Sequence, residues 1–250
     1  MRYLRTVVYD DPLLKADHFM ELLEELKSEN VECISGSQYI QSVSSETLFI
    51  CDNPYTCKQA RANDTAFITY MTDARGSMCI VEGFEEITAD FCEKMLMRKL
   101  EKPWIIARTE RLMIREFRPD DELGVFKDKW GDRSFIDRYI DCQYHLFGYG
   151  IWALEKKDDG KIIGKAGLFN SPRHEGLELG YEVIEGYRRQ GYAFEAVKAI
   201  SKYASEELEA ERIFITISPD NIASIGLAEK LKMTENVDII ISLEYTVDRK

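Results

Sequence analysis

The chain has 250 residues, which is enough for one large domain or two ordinary ones. With 45% hydrophobic and 31% charged residues it has the composition of a globular protein, and no apolar run approaches the ~20 residues of a membrane helix. A net charge of −12 argues against a nucleic-acid-binding protein, because phosphate contacts need a basic surface. The apolar stretch at the N-terminus is too short for a signal peptide. We therefore expect a cytoplasmic protein that binds neither nucleic acid nor membrane.

The sequence gives no sign of a metal site or of a disulfide framework. None of the six cysteines forms a C-x-x-C pair, and the three histidines share no ligand spacing with them. We expect buried, reduced thiols and no bound metal.

Residues 1–105 form a pattern of alternating strands and helices. Short apolar runs predict strands at 4–9, 47–51, 66–70 and 78–82. Helices are predicted from an apolar stripe over 19–26, at 55–62, and after Thr88 as an N-cap. This alternation predicts a small, mainly parallel α/β domain, which we expect to extend to residue 105.

This first segment lacks a recognisable catalytic motif. Its strand–helix rhythm is faintly similar to the haloacid-dehalogenase-like fold, whose enzymes need an Asp-x-Asp pair after the first strand. Asp10-Asp11-Pro12 lacks the second Asp at that spacing, and no Gly-rich nucleotide loop is present. We interpret Asp10, Asp11 and Asp52 as turn and cap residues, and residues 1–105 as a non-catalytic accessory or regulatory domain.

Residues 106–250 form a second pattern. A strand is predicted at 108–118, then a helix start at Pro119 and helical segments at 123–129 and 134–143. A hairpin follows, with strands at 150–155 and 161–169 joined by a turn at Asp159-Gly160. Further strands are predicted at 177–183 and 212–218, with a helix beginning at Ala193 between them.

The most informative stretch is the turn between the strand at 177–183 and that helix. Its sequence is Tyr187-Arg188-Arg189-Gln190-Gly191-Tyr192-Ala193. A turn that leads into a helix start collects free backbone N–H groups and the positive end of the helix dipole, so it favours phosphate. Arg188 and Arg189 can add charge-assisted hydrogen bonds from the side.

Four elements in this half resemble the GNAT superfamily of N-acetyltransferases over residues 108–246. The spacing Arg188-x-x-Gly191-x-Ala193 is similar to the superfamily's pyrophosphate-binding pattern. The element that begins at Asn221 resembles its Asn-x-x-(Ser/Ala)-x-x-Leu segment, with Ser224 and Leu227 at the matching positions. The runs at 109–115 and 178–183 resemble strands of the branch that includes ribosomal-protein N-terminal acetyltransferases (RimJ and RimL).

The resemblance implies an α/β (α+β) fold with a mixed central sheet whose fourth and fifth strands splay apart. Acetyl-CoA, as cosubstrate, would place its pantetheine arm in that gap, against the strand at 177–183. The residues that would contact it are Tyr181, Val183, Arg188, Arg189, Gln190, Gly191, Tyr192, Ala193, Asn221 and Ser224. Alternation puts Glu178, Gly180 and Glu182 on one strand face, where Gly180 would leave room for a ligand unless a bulge swaps the faces.

Catalysis would need a base, an oxyanion donor and an acid. Glu178 or Glu182 is a candidate base, with a solvated surface carboxylate as the alternative for each. The backbone N–H of Val183 is a candidate oxyanion donor. Many members protonate the thiolate with a Tyr where this chain has Ala228; Ser224 could serve instead, or could simply cap or pack the helix. Asn221 could likewise be only an N-cap.

The leading hypothesis is an acetyl-CoA-dependent N-acetyltransferase in which a primary amine attacks directly within a ternary complex. The acceptor would be a protein N-terminus or a small cationic amine. The alternative is a non-catalytic acyl-CoA sensor. The oligomeric state stays open, and a homodimer is one option.

Overall fold

The computed structural model describes residues 3–37, 44–144, 148–172, 174–232 and 238–243. The chain divides into two compact units, Met1–Trp104 and Ile105–Lys250. Within the described residues, no helix is both long enough and apolar enough to cross a membrane.

The first unit is a parallel sheet covered by helices on both faces. Its elements are β1 Thr6–Tyr9, α1 Phe19–Ser28, β2 Glu32–Ser35, β3 Thr47–Cys51, α2 Pro54–Ala62, β4 Ala66–Tyr70, β5 Ile80–Val81 and α3 Ala89–Lys99. All strand pairs are parallel, in the order β2-β1-β3-β4-β5. The unit has two apolar clusters. Helices α1 and α3 contribute to one of them, and α2 contributes to the second. The unit is therefore the parallel α/β layer that the sequence predicts.

The aspartates of this unit hold turns at the carboxyl ends of its strands. Asp10 is 5% exposed, and its Oδ2 accepts hydrogen bonds from the backbone N–H groups of Asp52 and Asn53, at 2.9 and 3.3 Å. Burial, with a hydrogen bond to Asp10, raises the pKa of Asp52. Thr88 caps α3 by accepting from Phe91 N at 3.1 Å, as predicted.

The second unit is a seven-stranded mixed sheet with α5 as its longest helix. Its elements are β6 Ile105–Arg108, β7 Leu112–Arg115, α4 Arg133–Tyr139, β8 Ile151–Lys156, β9 Ile162–Asn170, β10 Leu177–Val183, α5 Tyr192–Glu207, β11 Arg212–Ile217, α6 Ile222–Lys232 and β12 Asp238–Leu243. The strand order is β12-β11-β10-β9-β8-β7-β6. Strands β6 to β10 are antiparallel, whereas β10, β11 and β12 are parallel. The predicted mixed sheet is confirmed.

Several predicted elements are wrong in detail. The strand predicted at 108–118 contains only the last residue of β6 and the whole of β7, and a turn in which Thr109 N donates to Leu112 O joins the two strands. No helix begins at Pro119 or spans 123–129; that segment is irregular and ends in a 3-10 turn at Lys129–Gly131. Leu123, Phe126 and Trp130 are buried. Their apolar spacing is typical of a helix, but here it comes from a loop whose side chains pack on the core. β2 was not predicted.

Candidate functional site

The site begins with a break in the pairing of the second sheet. β10 pairs with β9 along its whole length, from Leu177–Asn170 to Val183–Gly164, with no shift in register. Between β10 and β11, two strands described in full, the pairing stops after Leu177–Ile213 and Glu178–Phe214. The rest of β10 has its β11 side open, so the two strands splay apart.

The register shows which backbone groups face the gap. Ile184 N donates to Ile163 O on the β9 side at 2.9 Å. Because backbone groups alternate direction along a strand, the N–H groups of Val183 and Tyr181 point toward the β11 side. The Val183 carbonyl there accepts from Arg188 Nε at 2.8 Å. The gap thus offers N–H donors that no neighbouring strand takes up.

The turn after β10 holds an unusual backbone conformation. Gly191 is the N-cap of α5 with φ of +86°, and Arg189 has φ of +60°. Left-handed φ suits Gly and is uncommon for other residues, so this turn is held by its surroundings. It delivers the chain into the first turn of α5, where the N–H groups of Tyr192 and Ala193 have no partner inside the helix.

The gap and the turn share one cavity of about 740 Å³. Its wall includes most of the residues that the sequence resemblance predicts as cofactor contacts: Tyr181, Val183, Arg188, Arg189, Gly191, Tyr192, Ala193, Asn221 and Ser224. Lys230 adds a further cation to the wall, with its Nζ 4.2 Å from the centre of the Phe194 ring. Gln190 is not in the wall; its side chain donates to Gly186 O at 3.1 Å.

The two candidate bases occupy different environments. Glu182 lines the cavity but forms an ion pair with Lys165, which is 3.1 Å from Asp128 as well. Glu178 is 5% exposed, is not in the cavity wall, and its Oε2 accepts from Ser171 Oγ at 2.7 Å. The space expected beside Gly180 is filled, because an added Cβ would lie 3.0 Å from the Phe169 ring. Glu182 is therefore the carboxylate nearer to the cavity.

Asn221 and Ser224 begin α6 at the opposite wall. Asn221 Oδ1 accepts from Ser224 N at 3.1 Å, which is an N-cap hydrogen bond. Asn221 thus has the capping role and a place in the cavity wall at once. The position at which many GNAT members carry a Tyr is occupied by Ala228, which is fully buried.

The sequence did not indicate the residues that contact the turn at 187–193 on the side away from the cavity. Arg111, in the turn between β6 and β7, donates to Gln190 O at 2.9 Å and stacks over Tyr192 at 4.3 Å. Glu195 on α5 accepts from Arg111 Nε at 2.7 Å and from Thr109 Oγ1 at 2.6 Å. We call Thr109, Arg111 and Glu195 the brace. The run at 109–115 was recognised as a strand signature, but nothing in it indicates which helix it contacts.

A second cavity, of about 580 Å³, lies beside a buried ion-pair network in the same unit. Arg115 donates to both carboxylate oxygens of Asp121, at 2.8 and 2.7 Å, and to Glu155 at 2.7 Å. Arg118 Nη2 lies 3.2 Å from Glu155 as well, so two guanidinium groups balance the two carboxylates. In the parts of the chain that the structure describes, no cluster of three metal-ligating side chains occurs.

Comparisons with known proteins identify the family. The sequence model of the acetyltransferase (GNAT) domain matches residues 102–234, so the chain belongs to the GNAT acetyltransferase family. The chain is 32% identical to YoaA, an uncharacterized N-acetyltransferase of Bacillus subtilis (strain 168), over 50% of this chain and 81% of YoaA. It is also 32% identical to YjdG, an uncharacterized N-acetyltransferase of the same bacterium, over 34% of this chain, and spans about half (51%) of the length of YjdG.

A solved acetyltransferase from Agrobacterium tumefaciens str. C58 is similar over 50% of this chain and 81% of that chain, with 26% identity and a TM-score of 0.41. The shared region is about half of this chain. Acetyltransferases of this family use acetyl-CoA.

Proposed function

We propose that this chain is an acetyl-CoA-dependent N-acetyltransferase that acts on a primary amine by direct attack in a ternary complex. The observation that carries the proposal is the gap between β10 and β11, which opens into a cavity walled by the turn at 187–193. A gap with free strand N–H groups suits the amides of a pantetheine arm, and a helix start suits a pyrophosphate. Family membership supports the same function.

The chain offers distinct groups for each part of the cosubstrate. The N–H group of Tyr181 would hold the arm in the gap, which leaves the N–H group of Val183 for the acyl oxygen. The N–H groups of Gly191, Tyr192 and Ala193 would hold the phosphates, with Arg189 and Lys230 supplying positive charge at the wall. Arg188 donates to the Val183 carbonyl and would stabilise the turn through that hydrogen bond. Its guanidinium group would therefore contribute less charge to the ligand.

The transfer itself needs proton movements that the wall can support. Glu182 would break its ion pair with Lys165 and take the proton from the amine, directly or through water. Glu178 is the more buried alternative base. The Val183 N–H would stabilise negative charge that develops on the acyl oxygen. Ser224 would give a proton to the departing sulfur.

The acceptor belongs to this proposal too. Resemblance of 109–115 and 178–183 to the ribosomal-protein-acetyltransferase branch favours a protein N-terminus, and a small cationic amine is the other candidate. A cytoplasmic location and a homodimer are further parts of the hypothesis. Fractionation and sedimentation would test them.

Isothermal titration of acetyl-CoA into the full-length protein tests the cosubstrate, with adenosine as the control ligand. We expect saturable binding by acetyl-CoA and none by adenosine at the same concentrations. Thiol release is then measured with a panel of N-terminal peptides and small amines. Release that depends on an amine supports the enzyme; binding without release would indicate the acyl-CoA sensor. A folded protein that does not bind would contradict both.

A further inference from the structure

Lys165 is a buried lysine on β9 that lies beside one of the two candidate bases. It is 8% exposed, and in the β9–β10 register it stands directly opposite Glu182. Its ammonium group forms an ion pair with Glu182, whose side chain is nearly half exposed at the cavity wall. A lysine is seldom buried this far unless its charge is compensated. The chain thus keeps a cation of its own at the carboxylate that would meet the acceptor amine.

The same ammonium group is held on its other side by the segment before α4. Asp128 Oδ2 lies 3.1 Å from Lys165 Nζ, and Asp128 Oδ1 accepts from Trp130 N at 3.1 Å. Lys165 Nζ also lies 4.5 and 5.8 Å from the centres of the Phe126 and Trp130 rings, which is cation–π range. Both rings are buried, so this side is fixed. The exposed side chain of Glu182, by contrast, can rotate toward the cavity.

The charges of this group leave room for one more cation. Lys165, Asp128 and Glu182 together carry −1, because two carboxylates share one ammonium group. Within the residues that the structure describes, Glu182 supplies the one carboxylate of the cavity wall. The other charged side chains of the wall are those of Arg188, Arg189 and Lys230. A cationic amine that enters the cavity therefore finds one opposite charge, and Lys165 already occupies it.

Resting on the proposed function, we propose that Lys165 is a stand-in cation that the ammonium group of the acceptor replaces at Glu182. The acceptor enters as a protonated primary amine and pairs with Glu182. Lys165 keeps Asp128 and the two aromatic rings, so its buried charge stays compensated after the exchange. Glu182 then takes one proton from the acceptor, and the nitrogen keeps the electron pair with which it attacks. Lys165 and Asp128 are positioning residues that act through Glu182.

The first test is a calorimetric titration of an amine into protein saturated with CoA, which has no acyl group to transfer. The probes are spermidine and tetra-alanine amide, one for each class of acceptor. Lys165→Met keeps the apolar stem but removes the cation that occupies Glu182, so the Kd of the amine should fall about 2- to 5-fold. Asp128→Asn keeps an oxygen for Trp130 N but removes the second partner of Lys165, so the Kd should rise by a similar factor. If neither probe binds to the wild type, no ammonium replaces Lys165 and the exchange is overturned.

The double variant separates exchange from a simple sum of charges. In the exchange, Asp128 acts only through Lys165, so Asp128→Asn should change the Kd little in the Lys165→Met background. If the charges merely add, Asp128→Asn raises the Kd by the same factor in both backgrounds, and that result would overturn the exchange. Lys127→Met is the matched control, because it removes an exposed lysine next to Asp128, and we expect it to keep the wild-type Kd.

Thiol release with the same amines tests the proposed function separately. Lys165→Met should lower KM for the amine and Asp128→Asn should raise it, whereas Lys165→Arg, which keeps the cation, should stay near the wild type. Damage to packing alone would shift KM in the same direction in Lys165→Met and Asp128→Asn. That outcome, with an active wild type, overturns the exchange and leaves the N-acetyltransferase proposal intact. A wild type that binds amines with the expected order of Kd but releases no thiol overturns the proposed function and leaves Glu182 as an ammonium-binding site. Thermal unfolding checks that each variant is folded.

Discussion

At the scale of single residues, the turn at 187–193 shows what local sequence can and cannot predict. Gly191 was identified from spacing, and its φ of +86° gives the physical reason for a glycine there. Arg189 has φ of +60°, and an arginine gives no sequence signal for a positive φ. Lys165 lies one strand away from Glu182, so its ion pair arises from strand register and is absent from any local pattern.

Gly191→Val should disturb this turn. A side chain is strained at positive φ, and a Cβ would lie 3.3 Å from Arg111 Nη2. We expect a loss of about 1 kcal/mol in the free energy of unfolding and weaker acetyl-CoA binding, measured by urea denaturation and calorimetry. Gly186→Ala is the matched control, since a Cβ there meets nothing within 4 Å. Equal affinity in both variants would argue against phosphate binding at this turn.

At the scale of elements, the brace joins the β6–β7 turn to the start of α5. Burial of Glu195 raises its pKa, but hydrogen bonds from Thr109 and from Arg111 outweigh this, and the net pKa is lowered. Apolar periodicity predicted the bounds of β10, and it missed the irregular 116–128 segment because burial alone does not specify a helix. The brace could not be predicted, since it joins residues far apart in sequence.

The lowered pKa of Glu195 gives a pH-dependent prediction. A carboxyl whose folded pKa is depressed stabilises the protein above its unfolded pKa, near 4.5, and that stability is lost as pH falls through the folded pKa. We measure the free energy of unfolding by urea denaturation from pH 7 to pH 3. It should fall less with decreasing pH in Glu195→Gln than in the wild type. Glu229→Gln, an exposed position on α6, is the control. Parallel curves for all three proteins would contradict the brace.

At the scale of the whole molecule, overall charge and local charge differ in sign. The chain carries −12, yet the cavity wall gathers Arg188, Arg189 and Lys230. The net charge argues against a nucleic-acid binder, but it does not indicate this local group of cations, because net charge is a sum over the chain and carries no information on position. The parallel sheet of the first unit was predictable from the alternation of its strands and helices, whereas the mixed sheet of the second unit was predictable only through the family resemblance.

The role of the first unit is tested by Asp10→Ala. This change removes the acceptor for the Asp52 and Asn53 N–H groups, and we expect the free energy of unfolding of that unit to fall by about 1–3 kcal/mol. Acetyl-CoA affinity should stay the same if residues 1–105 are non-catalytic. Thermal unfolding and calorimetry on the full chain measure both, with exposed Asp73→Ala as control. If a folded Asp10→Ala protein bound acetyl-CoA more weakly, the first unit would contribute to acetyl-CoA binding, contrary to this prediction.

The early end of the β10–β11 pairing also bears on solution behaviour. Sheet edges with unpaired N–H and C=O groups are templates for strands of other chains, and proteins ordinarily keep them short or covered. Here such an edge lies inside a seven-stranded sheet, along the part of β10 beyond Glu178. A ligand seated in the gap would shield it. The empty protein is therefore the form we expect to aggregate on storage, and the occupied protein the form that resists it.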